Sequence, residues 1–155
     1  VLTGSIFLVI AAASCIGYVG SLQQWPQQIA TLATESGFTG VKFLLLVNLI
    51  FLAAGMIMDI PMALALLVPL FGPACLTQGV DPVHLGIVLC LNLTMGLITP
   101  PLGACLIVVS AVPGENYWLL ARATLPFIVV EILVLLLVIL VPNVSLYLPG
   151  LLNLV

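Results

Sequence analysis

Charge is what this sequence has least of. Two of its 155 residues are basic, Lys42 and Arg122, and five are acidic, so 5% of the chain is charged, against about a quarter in an average soluble domain. Without a basic patch there is no electrostatic footprint for nucleic acid. Histidine occurs once, at His84, and the four cysteines (Cys15, Cys75, Cys90, Cys105) form no C-x-x-C pair. That excludes a Cys/His metal cluster and leaves the cysteines as small apolar packing residues. Neither G-x-x-x-x-G-K nor G-x-G-x-x-G occurs, so direct use of ATP is not expected of this stretch. The chain opens Val-Leu-Thr, with no initiator Met and no basic n-region or cleavage site of the signal-peptide kind; it reads as a piece of a longer membrane protein.

What the sequence has instead is apolar length, 64% of it hydrophobic. Residues 3–20 are apolar over about the length needed to span a bilayer. Their small residues, Ala11 to Ser14 and Gly17, suit close helix packing. Residues 25–37 change character. Pro26 fits a first helical turn, Ile29, Leu32 and Ala33 make one apolar face, and Gly37 ends the segment. This predicts an amphipathic helix lying in the membrane interface, with Trp25 as its headgroup anchor.

Residues 41–58 are apolar again, interrupted only by Asn48 and Gly55. Met-Asp-Ile-Pro at 58–61 is a turn and helix-start signal, with Asp59 placed to cap the next helix and Pro61 in its first turn. The apolar run resumes to Leu76, punctuated by Pro69, Gly72 and Pro73, and stops at the polar turn 78–82. Residues 41–78 are therefore predicted to be a helical hairpin with its tip near 58–61. Two geometries fit: both arms cross the membrane, or the hairpin is re-entrant with Asp59 at depth. An aspartate at mid-membrane costs about 3 kcal/mol or more and marks a functional site by default; in the other geometry Asp59 is a solvated cap.

Residues 83–111 form a long apolar run with a fault in it. At 91–103, Leu-Asn-Leu-Thr-Met-Gly-Leu-Ile-Thr-Pro-Pro-Leu-Gly, two successive prolines remove backbone donors and clash with the preceding turn, and Thr99 is pushed toward extended backbone. Gly96 and Gly103 let the chain turn or let a neighbour approach. Broken backbone at membrane depth is tolerated only in protein or beside a polar cavity, and secondary transporters build their sites from such helices. Asn92, Gly96 and Thr99 follow one helical spacing and offer an amide oxygen, a backbone carbonyl and a hydroxyl, hard donors that suit an alkali cation. A kink used only for packing is the alternative. His84, beside the Asp81-Pro82 turn, reads as interfacial. Residues 112–122 read as a polar loop with Tyr117 and Trp118 as anchors; Arg122 casts a thin positive-inside vote for the cytoplasmic side. The last predicted span is 123–141, with Glu131 neutral or paired if it faces the bundle. Prolines and Tyr147 close the chain at an interface.

The run Asn48, Gly55-Met-Ile-Met-Asp59, Pro69, Gly79-Val-Asp-Pro-Val-His-Leu-Gly86, then Leu91 to Gly103 with its Gly-Leu-Ile-Thr-Pro-Pro core, followed by Ala121-Arg-Ala123 and Leu125-Pro-Phe127, resembles the C-terminal repeat of the large membrane subunit of tripartite ATP-independent periplasmic (TRAP) transporters. The resemblance implies an all-α polytopic membrane protein of the bacterial inner membrane, one half of an inverted-repeat, elevator-type transporter. It implies a sodium ion as coupling ion, uptake of organic acids such as C4-dicarboxylates or sialic acid, a periplasmic substrate-binding protein and a small membrane subunit. It also implies a sodium site between the hairpin tip (Gly55, Asp59) and the break (Gly96, Thr99, Pro100), which together with Asn92 form the candidate set. The family protein is more than twice this length, so this stretch alone is not expected to transport. Competing readings are an ion-coupled carrier that needs no binding protein, an intramembrane hydrolase using Asp59, which lacks a second facing aspartate, and a membrane scaffold with no site.

Overall fold

The computed structural model describes residues 2–111 and 116–152. It contains eight α-helices and no strand among the described residues: α1 Leu2–Leu22, α2 Trp25–Glu35, α3 Val41–Gly55, α4 Ile60–Thr77, α5 Pro82–Gly96, α6 Ala104–Ala111, α7 Tyr117–Leu140 and α8 Pro142–Leu151. The chain is all-α and polytopic in character. Helices α4 and α7 are long and apolar enough to cross a membrane; α1 with α2 would add a third span as a bent pair, turned by 62° at their junction.

Helices α3 and α5 sit at the centre. Phe43, Leu44, Val47 and Phe51 of α3 pack with Leu85, Val88, Leu89 and Leu93 of α5, and Ala63, Ala74 and Cys75 of α4 and Leu135, Val138 and Ile139 of α7 close the cluster. Phe51 meets Phe71 of α4 edge to face, ring centroids 6.1 Å apart. Helix α1 covers α4 through small residues. Ala13 and Gly20 are buried, and a Cβ on Gly17 would come within 3.2 Å of Pro69, so the stripe of small residues is where α1 lies against the proline-bearing face of α4. At the end of α2, Gly37 takes φ +75°, and the Gly37 and Phe38 N–H groups donate back to Thr34 and Ala33, which caps the carbonyl end of the helix.

Five departures from the sequence reading concern the fold. The hairpin turn occupies residues 56–59, because α3 stops at Gly55 and α4 starts at Ile60. The region read as a loop to residue 122 becomes helix at Tyr117: the Asn116 side chain accepts the Trp118 N–H at 3.0 Å, and nothing from Trp118 to Thr124 is a helix breaker. Residues 112–115 of that loop lie outside the described residues. The closing segment is a helix, α8, packed on α5 and α7. Only Cys75 is buried; Cys15, Cys90 and Cys105 face outward, so core packing explains one cysteine of the four. Glu131 is exposed on α7, away from this chain's core.

Candidate functional site

The C-terminal ends of α3 and α5 meet backbone to backbone. Gly55 and Gly96, the last residues of the two helices, are both buried. A Cβ placed on Gly96 would stand 2.5 Å from the Gly55 carbonyl carbon and 2.7 Å from its Cα, a separation no side chain tolerates. Gly55 is less constrained: its Cβ would meet Leu93 Cδ2 at 3.2 Å and Gly96 Cα at 3.4 Å. Each helix carries about half a unit of negative charge at its carbonyl end, and here two such ends converge.

Several carbonyls at this junction keep acceptor capacity. Met56 donates to Leu52, and Ile57 and Met58 both donate to Ala54, so among the described residues no N–H reaches the Gly55 carbonyl. Beyond α5, Leu97, Ile98 and Thr99 donate to Thr94, Met95 and Gly96 at 3.2, 3.2 and 3.1 Å. Pro100 and Pro101, joined by a cis peptide, then bring no donors. The carbonyls of Ile98, Thr99 and Pro100 accept no hydrogen bond among the described residues. Gly103, at φ +47°, turns the chain into α6. Tyr117, read from sequence as an interface anchor, reaches the far side of this break: its hydroxyl donates to the Pro101 and Leu102 carbonyls at 2.8 and 3.2 Å.

The six candidate residues divide. Gly55 and Gly96 are in contact. Asn92 is buried one turn before Gly96, and its Nδ2 donates to both the backbone oxygen and Oδ1 of Asn48, each at 2.7 Å. Its Oδ1 is buried with no hydrogen-bond partner. Thr99 is half-buried and its hydroxyl donates to the Met95 carbonyl at 2.7 Å, leaving its lone pairs free to accept. Pro100 is half-buried in the break. Asp59 is exposed on this chain and, although it occupies the N-cap position of α4, its side chain makes no cap hydrogen bond. The capping role expected of it is therefore not made.

Two polar residues carry more than their sequence reading. His84, expected at an interface, is 3% exposed; its Nδ1 lies 2.6 Å from Ser145 Oγ of α8, and its Nε2 is buried without a partner. Burial follows from α8 folding over the start of α5. Asn48 was noted only as an interruption of an apolar run. The signal was available: Asn48 and Asn92 are the only asparagines in their respective apolar runs, and a buried amide needs a polar partner. Two grooves among the described residues lie elsewhere. A groove of about 360 Å³ between α2 and α4 and another of about 420 Å³ between α4 and α5 are mostly apolar, and neither is lined by Gly55, Asn92 or Gly96. No group of three or more His, Cys, Asp or Glu capable of holding a metal occurs among the described residues.

Comparison with known proteins gives this arrangement a context. The family model described as "Tripartite ATP-independent periplasmic transporter, DctM component" matches residues 1–144. The chain is similar to the C4-dicarboxylate TRAP transporter large permease protein DctM of Pseudomonas aeruginosa, 40% identical over 149 residues, covering 96% of this chain and 35% of that protein. It is similar to the sialic acid TRAP transporter large permease protein SiaM of Vibrio cholerae, 36% identical over 96% of this chain and 35% of that protein. It is also similar to the isethionate TRAP transporter permease protein DctMQ of Oleidesulfovibrio alaskensis, 31% identical over 94% of this chain and 23% of that protein. The chain thus spans about a third or less of the length of these curated relatives.

Proposed function

Because this chain belongs to the DctM-component family of tripartite ATP-independent periplasmic transporters, we propose that it forms part of a sodium-coupled permease that takes up organic acids across the bacterial inner membrane. Members of this family are transporter components and not enzymes, which removes the reading of Asp59 as a hydrolase residue. The observation that carries the proposal is the contact between Gly55 and Gly96. Two helix carbonyl ends at one point favour a cation, and an interrupted pair of helices is the usual frame for a coupling-ion site. In this reading Asn92, Thr99, Pro100 and Asp59 supply the further donors of the set, several through backbone oxygens.

Helices α3 and α5 have 15 residues each, about 22 Å of helix, short of the ~30 Å hydrocarbon core. That favours a re-entrant hairpin and a broken span whose free ends stop at depth. The amide ends of α4 and α6 begin just past the tip and the break, and their polarity suits an acidic substrate group. Cation and anion held at neighbouring helix ends would then move together, the downhill sodium ion drawing the organic acid with it. A periplasmic binding protein and a small membrane subunit complete the assembly in this reading. The relatives' names cover C4-dicarboxylate, sialic acid, isethionate and ectoine, each with a carboxylate or sulfonate group, which supports a substrate with an acidic group.

The test is uptake by the permease that carries this sequence, reconstituted with its small subunit and binding protein and supplied with labelled succinate, sialic acid or isethionate. Uptake that needs both an inward sodium gradient and the binding protein is the expected result. Uptake indifferent to sodium, with choline in its place, removes the sodium site; uptake without the binding protein moves the protein to a carrier that works alone.

A further inference from the structure

We infer that Asn48 is a positioning residue for a cation: it fixes the Asn92 amide so that Oδ1 is held out as a free acceptor. The inference rests on the sodium reading above. Three hydrogen bonds carry it. Asn48 Nδ2 donates to the Leu44 carbonyl at 2.8 Å, which sets the Asn48 amide with its oxygen toward α5. That oxygen and the Asn48 backbone carbonyl, both at 2.7 Å, then receive Asn92 Nδ2. Rotating the Asn92 amide by half a turn would set its oxygen against two acceptors. Rotating the Asn48 amide would set its oxygen against the Leu44 carbonyl and its NH₂ against another NH₂. Neither rotation is available, so both amides are locked in one sense, and both donors of the Asn92 amide are used.

What is left over is one oxygen. Asn92 Oδ1 is buried with no donor among the described residues, in a residue 1% exposed, and a buried acceptor without a partner is destabilising. Asn48 and Asn92 could each have been an apolar residue in this core. Instead Asn92 spends both amide donors on Asn48 and presents a single carbonyl-type oxygen, one helical turn before Gly96. The partner that fits is a hard cation. Neutral oxygens suit an alkali ion, whereas divalent calcium or magnesium is bound largely through carboxylates, and no acidic group among the described residues hydrogen-bonds to the pair. On this view the orientation of the oxygen is decided by a residue that never meets the ion.

The purified permease is titrated with sodium chloride against choline chloride at constant ionic strength, and the sodium concentration at half-maximal thermal stabilisation is read. Asn48→Leu and Asn48→Ala each remove one of the two acceptors that orient Asn92; the midpoint is expected to rise about three- to tenfold, the worth of one hydrogen bond. Asn48→Asp keeps an acceptor facing Asn92 Nδ2 and nearly the same shape and, when its second oxygen carries a proton, still donates to the Leu44 carbonyl; in that form its midpoint is expected to stay at or below that of the wild type. A merely structural Asn48 lowers the melting temperature in choline for all three variants and leaves the sodium midpoint unmoved, which overturns the inference; so does an equal rise in the leucine and aspartate variants. Wild-type protein with no sodium-dependent shift overturns the sodium reading itself, a different result from an unmoved midpoint in the variants.

Discussion

Two aspartates in this chain stand in nearly the same sequence context and do different things. Asp59 precedes Ile60-Pro61 and Asp81 precedes Pro82-Val83. Both occupy the N-cap of a helix in extended backbone, φ −70° and ψ 151° for Asp59, φ −64° and ψ 137° for Asp81. Asp81 caps: its carboxylate accepts the Val83 and His84 N–H groups at 2.8 and 3.1 Å. Asp59 makes no cap bond. The difference follows from where the proline falls. A capping side chain takes the N–H of the second or third helical residue. Pro82 is at the first position, where its missing N–H costs nothing, so both donors remain. Pro61 is at the second position and removes one of the two donors. One register shift of a proline turns a structural aspartate into one without a local partner, in the turn that follows Gly55.

The largest expected effect separates the two ends of α5. Gly96→Ala drives a Cβ into the Gly55 backbone, which cannot yield as a side chain can; overpacking of this kind costs about 1–3 kcal/mol or more, and sodium-driven uptake is expected to fall by more than about tenfold. Gly86, about one turn into the capped end, faces open space, so Gly86→Ala is expected to leave uptake unchanged and to raise helix stability by up to about 1 kcal/mol. Similar losses in both variants would mean that α5 is sensitive along its length and that the glycine contact is not special. Next in size is the pair of acids. Asp81→Ala loses a cap worth about 1 kcal/mol and is expected to lower the melting temperature without changing the sodium requirement. Asp59→Ala is expected to shift stability by less than about 0.5 kcal/mol, and to raise the sodium concentration for half-maximal uptake about two- to fivefold, as loss of an exposed charge beside a cation would. The reverse pattern would place the structural aspartate at the tip.

Much of the architecture was legible because it is written in composition and in local punctuation. The scarcity of charge and the apolar runs define an all-α membrane chain, and the Pro100-Pro101 pair locates a fault whatever surrounds it. The helix itself stops earlier, at Gly96, because the close approach of α3 decides where α5 can end, and that neighbour lies 41 residues back. Distance in sequence also hid the polar pairings. Asn48 and Asn92 are 44 residues apart, and His84 and Ser145 are 61 apart; nothing local to either member announces the other. The α7 start was missed for the opposite reason: Tyr117 and Trp118 look like interfacial anchors, and the cap that starts the helix, Asn116, was absorbed into a polar stretch.

The comparison of the two aspartates can be sharpened by moving the proline. In the double variant Ile60→Pro with Pro61→Ile the proline stands at the first helical position and the second regains its N–H. Asp59 is already extended, the conformation a following proline requires, so the exchange fits the backbone as it stands. Asp59 should then cap α4 as Asp81 caps α5, adding about 0.5–1 kcal/mol of thermal stability while raising the sodium requirement, because its carboxylate is drawn onto α4. Stability and sodium dependence moving together in the same direction would break the argument.

The smallest effect concerns the only side chain outside the break that bonds to it among the described residues. Tyr117 hands one hydroxyl proton to two carbonyls, Pro101 and Leu102, on a stretch where the prolines have left acceptors without N–H donors. It does at a carbonyl end what Asp81 does at an amide end, supplying from a side chain the partner the helix lacks. The bond is exposed, so water can replace it, and Tyr117→Phe is expected to cost only about 0.5–1 kcal/mol, read as a modest fall in melting temperature. The carbonyls of the break that belong to the candidate set, those of Thr99 and Pro100, are not the ones Tyr117 binds. The sodium midpoint should therefore stay where it is in the phenylalanine variant; a midpoint that moves would mean that the shape of the whole break, and not those two residues alone, sets the affinity for the ion.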